Sequence, residues 1–378
     1  MDGTGLPHRL LRGRLGRCSA AAASGAAMIL TLGAAAVPAA HPDAVTNYGG
    51  SLEGVSAVSA SDAWAIGGNT AGRNMILHWN GTSWTKVAIP KTYLGFLGGV
   101  SATSADDAWA VGSYHKSGSV KTLVLHWDGT SWTKVATPSP GTGSVSDQLN
   151  AVSALSPTDV WAVGTFSTYG KSSELVLHWN GRTWAQTPVP HPRAGGGWLL
   201  GVDALSAKDV WTVDGTRVLH WNGTGWSVLP APAGGALTAV TALSATDAWA
   251  AGGSGVQSLV VHCNGTGCSR VASPNPGGTS AMSFNDLNSV TALSSTNAWA
   301  VGEYGHFNGS TIGNTLVLHW DGKSWTKVAS PTVANSSALY AVTALSASRA
   351  WAVGQWATRT VPGGVLILDW NGTSWTRS

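Results

Sequence analysis

An all-β chain folded as a seven-bladed β-propeller, four antiparallel strands to the blade, is what the sequence predicts, on three observations. A motif of the form Val-Ser-Ala-Leu-Ser-x-x-Asp-Ala-Trp-Ala-Val-Gly recurs, anchored on Val55/Trp64, Val100/Trp109, Val152/Trp161, Val202/Trp211, Val240/Trp249, Val290/Trp299 and Val342/Trp351. Val and Trp are nine residues apart every time. A second motif, Leu-Val-Leu-His-Trp-Asn/Asp-Gly-Thr-Ser-Trp, follows each first one; its His positions are 78, 126, 178, 220, 262 and 319, with Asp369 in the seventh copy. The 21 tryptophans then count out the repeats: three per copy, two of them replaced by Cys263 and Cys268, with only Trp198 and Trp356 left over.

Each copy reads as four strands. Val-Ser-Ala-Leu-Ser is strand A, and the Ser-x-x-Asp after it is a turn, because these side chains hydrogen-bond nearby backbone amides. Ala-Trp-Ala-Val-Gly is strand B. Leu-Val-Leu-His-Trp is strand C, apolar on both faces as a sheet packed between neighbours requires. Asn-Gly or Asp-Gly makes the tight hairpin into strand D, Ser-Trp-Thr-Lys-Val. One such sheet cannot bury both faces; radial packing of seven does. The expected blades are 50–92, 93–143, 144–194, 195–232, 233–281, 282–333 and 334–378. Closure is expected to rest on packing of blade 1 against blade 7 with no exchanged strand.

Before the repeats, residues 1–39 read as a secretory signal peptide for the general secretory route, followed by a linker over 40–49. Arg9, Arg12, Arg14 and Arg17 precede an alanine-rich apolar run from Ala20 to Ala36, and Val37-Pro38-Ala39 fits a cleavage site. The alternative of a retained membrane anchor is opposed by the weak hydrophobicity of alanine. The chain is therefore expected outside the cell, with no stable membrane insertion of the mature protein. Removing the signal takes four Arg and one Asp from 21 basic and 18 acidic residues, leaving 17 of each. A mature protein without net charge offers no electrostatic footprint for nucleic acid.

Cys18 leaves with the signal. Cys263 and Cys268 flank the C–D hairpin of blade 5, where other blades carry Trp and Trp, so they face each other at a spacing a disulfide fits. Two cysteines in an exported chain are expected to pair, here as a local staple.

The blade pattern resembles the propeller repeats of photosystem II assembly factors, which run through an apolar strand, a Gly-Trp-Ala-Val-Gly strand and an Asp-Gly-Gly-x-x-Trp hairpin. It is also similar to the Asp-box hairpins of sialidases; the matching segment is Asp128-Gly129-Thr130-Ser131-Trp132 and its counterparts. The resemblance covers the whole mature chain and implies fold rather than activity. Trp132 falls four residues after Asp128, one fewer than in a true Asp box, and no sialidase arginine triad or Tyr/Glu pair is identifiable.

The six equivalent histidines sit in six different blades, too far apart to share a metal, so no metal or other cofactor is expected and inter-blade hydrogen bonding is the better reading. The aspartates at 62, 107, 159, 209 and 247 read as turn formers, with Asn297 and Arg349 in their place elsewhere. Function is expected where the repeat is broken. Only the B–C loops and D–A crossovers vary in length, and in a four-stranded meander both emerge on one face of the disc. Candidate binding residues on that face are Trp198, Trp356, Tyr114, His191, Arg193, Tyr304, His306 and Arg359, with Tyr93, Phe96, His115 and Lys116 nearby. Aromatic faces beside amide and guanidinium donors suit sugars. The expected function is non-catalytic binding or scaffolding: surface glycan or cell-wall polysaccharide first, an extracellular protein partner second. A glycoside hydrolase or lyase is the alternative from another class, and it requires two of Glu53, Asp147, Glu174, Asp203, Asp286 and Glu303 to converge.

Overall fold

The structure, a computed structural model, describes residues 48–90, 94–142, 146–189, 197–307, 311–358 and 363–378. It contains seven four-stranded antiparallel sheets, each a simple A-B-C-D meander of consecutive strands. In blade 1 the strands are Gly50–Ser59, Asp62–Asn69, Asn74–Trp79 and Trp84–Lys86; in blade 7 they are Ser336–Ser346, Arg349–Ala357, Gly364–Trp370 and Trp375–Arg377. Seven copies of the sequence motif have become seven blades. The signal segment, and with it Cys18, lies outside the described residues. Among those described, no helix is long and apolar enough to cross a membrane.

The apolar interior is divided into seven clusters, and each lies between two neighbouring blades. Strand B supplies the centre of each. Trp64 of blade 1 stacks on His78 of its own blade at 4.2 Å, while its edge meets the hairpin tryptophans of blade 2, Trp127 at 5.0 Å and Trp132 at 5.1 Å. The same wheel joins Trp109 to Trp179 and Trp184, Trp161 to Trp221 and Trp226, and Trp249 to Trp320 and Trp325. The first hairpin tryptophan also donates its indole N–H to a carbonyl of the A–B turn, as Trp127 does to Ala105 at 3.0 Å. In blade 5 Cys263 and Cys268 face each other at 4.0 Å between Cα atoms and are bonded, filling the place of the aromatic pair.

The histidines do not bond between blades as expected. Five of these donate their Nε2–H within their own blade, to the aspartate that opens strand B: His126 to Asp107 at 2.7 Å, His178 to Asp159 at 2.8 Å, His220 to Asp209 at 2.7 Å, His262 to Asp247 at 2.8 Å and His78 to Asp62 at 3.2 Å. Those aspartates are therefore the anchors of the imidazoles, while the turn itself is made by the preceding serine or threonine side chains, such as Ser59 accepting from Ser61 N–H. The reason is the register: strand B Trp and strand C His are direct cross-strand partners, so the imidazole leans over the indole at a tilt of about 30° with its far nitrogen reaching the Asp.

Closure also differs from expectation by one detail. Blade 1 packs on blade 7 through Trp351, Trp79 and Trp84, but Gly49 also bridges Gly364, and Tyr48 accepts a hydrogen bond from Val365 N–H at 3.0 Å. Comparable bridges, Arg73 with Leu94 and Gly215 with Leu237, join blade 1 to blade 2 and blade 4 to blade 5. The ring thus closes with a joint of the kind used within it.

Around the channel wall, Ser56, Ser101 and Ser153 each accept a backbone N–H from the next blade, at Ala102, Ala154 and Ala204. Blade 4 puts Asp203 in that position, accepting from Ala242 N–H at 2.8 Å. Asp203 therefore belongs to the middle of the channel wall, one residue past the anchor valine, and not to the variable face. Burial raises its pKa to about 6, against hydrogen bonds that lower it. A carboxyl raised in this way stabilises the fold below the ordinary aspartate range, and that contribution is lost as pH climbs through 6. Asp203→Ser is expected to raise stability at pH 7 by about 1–3 kcal/mol and to change it little at pH 4. Urea denaturation at both pH values checks this; equal effects at the two would show that the carboxyl charge is irrelevant.

Candidate functional site

Strand A of each blade runs from the variable face down the central channel. Two residues before the anchor valine stand Glu53, Gly98, Asn150, Leu200, Thr238, Asn288 and Tyr340, which together line a central cavity of about 170 Å³. In six blades this residue is a β-bulge, unpaired with strand B. A bulge re-aims its side chain, here into the channel. Asn150 and Asn288 use it to donate to the carbonyls of Leu199 and Leu339 in the next blade, at 2.7 and 2.8 Å. The sequence carries a signal for this ring that length comparison overlooks: the bulge is the freely varying position inside an otherwise constant strand.

One step nearer the variable face a second ring follows: Ser51, Phe96, Gln148, Trp198, Ala236, Asp286 and Ala338. Ser51 donates to Glu53 at 2.6 Å and Gln148 to Asn150 at 2.9 Å, so the two rings stack. The Phe96 ring lies over Gly98, where a Cβ would come within 2.7 Å of it and 2.8 Å of Asn150 O; only glycine fits. The mouth is chemically divided. Blades 2, 3 and 4 contribute Phe96 (39% exposed), Gln148 and Trp198 (53% exposed) to this second ring. Beside them a cavity of about 600 Å³ is lined by Leu94, Phe96, His115, Ser146, Gln148 and neighbouring backbone.

On blades 6, 7 and 1 the mouth is acidic. Asp286 and Glu303 are direct cross-strand partners. Burial holds both above the usual carboxylate range, and for Glu303 the neighbouring Asp286 adds to it. Glu53 is raised by burial against the hydrogen bond from Ser51. The Tyr340 hydroxyl, which accepts from Gln355 at 2.6 Å, is pushed well above its ordinary range by burial and then by Glu303 and Glu53. Of the acidic residues considered from sequence, these converge. Asp147 and Glu174 do not: Asp147 caps the crossover at Ser139 and Gly141, and Glu174 pairs with Arg217.

The sequence-derived candidates separate. Trp198 stands at the mouth. Tyr114, Tyr304 and Trp356 do not: together with Phe166 they occupy one register, five residues after the strand B tryptophan, and fill the seams between blades. Trp356 therefore has repeat-mates after all. Its ring covers Gly364, its cross-strand partner, and lies 6.0 Å from the Arg377 guanidinium. Lys134 caps Tyr114 at 3.6 Å, and Lys327 caps Tyr304 at 4.3 Å, by the same arrangement. Tyr114 lines a flank recess of about 400 Å³ with Lys116, Lys121 and Lys134. His306 sits exposed on the tip of blade 6 against Ser283 at 3.3 Å. Tyr93, His191, Arg193 and Arg359 lie outside the described residues. Among the described residues no group of three His, Cys, Asp or Glu side chains is placed to hold a metal.

No known family model matches the chain, and no characterised protein matches it in sequence. Solved structures do match in fold. YCF48 from Cyanidioschyzon merolae is similar at a TM-score of 0.57 and 15% identity, over 87% of this chain and 98% of that one. The GH74 xyloglucanase from Xanthomonas campestris is similar at 0.56 and 13% identity, over 87% of this chain and 59% of that one. U3-55K is similar at 0.56 and 13% identity, over 84% and 95%. The resemblance to photosystem II assembly factor repeats thus extends to three dimensions, and at these identities the likeness shows the shared fold: the chain is a seven-bladed β-propeller.

Proposed function

We propose that this propeller is an exported, non-catalytic binding module that takes surface glycan or cell-wall polysaccharide at the variable-face mouth. The observation that carries the reading is the cavity of about 600 Å³ whose lining combines the exposed Phe96 ring with Gln148, His115 and Ser146. A sugar offers matching chemistry, a C–H face for the ring and a rim of hydroxyls for the polar groups. Phe96→Ala is expected to weaken binding about tenfold, the loss of about 1–2 kcal/mol of aromatic contact, with the melting temperature unchanged. Glycan-array and calorimetric titrations of residues 40–378 check this; unaltered affinity for every bound glycan would place the ligand elsewhere.

The reading from another class draws on the Asp286–Glu303 pair, two carboxyls raised by burial in a concave mouth, the setting in which acid catalysts are found. The module is expected to release no reducing ends from the polysaccharides it binds. Release that stops in Glu303→Gln would replace the binding reading with a hydrolase.

A further inference from the structure

The seven blades are not equally tall on the variable face. Counted from its tryptophan, strand B runs on for five residues in blade 1, seven in blades 2 and 3, two in blade 4, five in blade 5, eight in blade 6 and six in blade 7. At about 3.3 Å per residue, strand B of blade 4 stops ~16 Å short of blades 2 and 3 and ~20 Å short of blade 6. In a ring of seven, blade 4 stands opposite the joint of blades 7 and 1. A line from the blade 4 notch through the central mouth to that joint passes between blades 2 and 3 on one side and blade 6 on the other.

The notch is a constructed feature. Asp214 accepts from the backbone N–H groups of Thr216 and Arg217 at 3.1 and 2.8 Å, which closes the B–C turn in four residues. The Arg217 guanidinium then reaches Asp214 and crosses to Glu174 of blade 3 at 2.6 Å. Gly215 O accepts from Leu237 N–H at 2.6 Å, tying the turn to blade 5. Trp198 stands half-exposed at the inner end of the notch, two residues before the channel-lining Leu200.

We propose that this trough seats an extended, uncharged polysaccharide, which enters over blade 4, stacks on Trp198 and continues across the central mouth past Phe96. Blade 4 is the low end of the trough: at the opposite joint strand B of blades 7 and 1 runs on for six and five residues past its tryptophan, so the polymer is held from the notch inward. The polymer is uncharged because Glu53, Asp286 and Glu303 at the mouth repel an acidic one. The proposal rests on the glycan reading above and adds to it the form of the ligand.

Calorimetric titration with cello- and chito-oligosaccharides of two, four and six units tests it, using the wild type, Trp198→Ala and a variant whose Asp214–Arg217 turn is replaced by the taller blade 2 segment Gly112–Leu123. The hexamer of at least one series is expected to bind at least tenfold tighter than its dimer. Trp198→Ala and the graft should each weaken the hexamer at least tenfold and remove most of its advantage over the dimer. Trp198→Ala, at an exposed position, carries the test alone if the graft fails to fold. Equal affinity for dimer and hexamer, or a hexamer indifferent to Trp198→Ala, overturns the trough while the glycan reading stands. Binding of no oligosaccharide of any length overturns both.

Discussion

Trp109→Ala is expected to cost about 3–5 kcal/mol, the range for removing a fully buried large aromatic side chain. Trp109 is 1% exposed, rests on His126 at 4.2 Å and meets Trp179 and Trp184 of blade 3 at 5.3 and 5.6 Å. The cavity would open between two blades, where neither sheet can collapse into it without breaking its own strand pairing. Trp211 gives the internal control. It is equally buried and stacks on His220 at 4.3 Å, but the next blade offers Cys263 and Cys268 in place of the two indoles. Trp211→Ala should therefore cost less, by about 0.5–1.5 kcal/mol for each aromatic pair it lacks. Urea denaturation of the two variants decides it: equal losses would mean that burial alone, and not the indole wheel, joins the blades.

The fold was legible because the repeat enforces itself seven times. A strand of five residues is ambiguous once, but Val-to-Trp spacings of nine in every copy, with Asn-Gly or Asp-Gly closing each C–D hairpin, leave little else to build. The site was less legible for a related reason. Length variation drew attention to loop aromatics such as Tyr114, Tyr304 and Trp356, which the registers of strands B and C place in the seams. Of the residues that line the channel below the mouth, Asn150, Asn288 and Tyr340 sit inside strand A, hidden by the assumption that a constant strand is structural throughout, while Glu53 stood out only as a carboxylate. A bulge is a backbone event whose one trace in the sequence is that freely varying position, not a residue type of its own. Trp198 escaped this because its strand begins late, at Gly201, and leaves the tryptophan in the crossover. The His–Asp pairing was also readable in principle: the one copy that replaces His by Asp369 also replaces Asp by Arg349.

That exchange yields the second large effect. In blade 7 Arg349 Nη1 meets Asp369 Oδ2 at 3.1 Å, and the guanidinium lies 4.5 Å from the Trp351 ring centre, where other blades stack an imidazole on the indole. The acid and the base have changed places while the strand register is kept, with Trp351 opposite Asp369. Arg349→Asp alone sets two carboxylates against each other in a largely buried site and is expected to cost about 3–5 kcal/mol. Asp369→His alone opposes a guanidinium with an imidazole and removes the anion it needs, a smaller loss of about 1–3 kcal/mol. The double substitution rebuilds the arrangement of blades 1 to 5 and should return to within about 1 kcal/mol of the wild type, a coupling far outside the additivity of independent sites. Denaturation midpoints of the four proteins complete the cycle. Additive losses would show that residues 349 and 369 act separately and that the exchange is a coincidence of two neighbouring positions; a rescued double variant would show that each blade selects the pair as a unit.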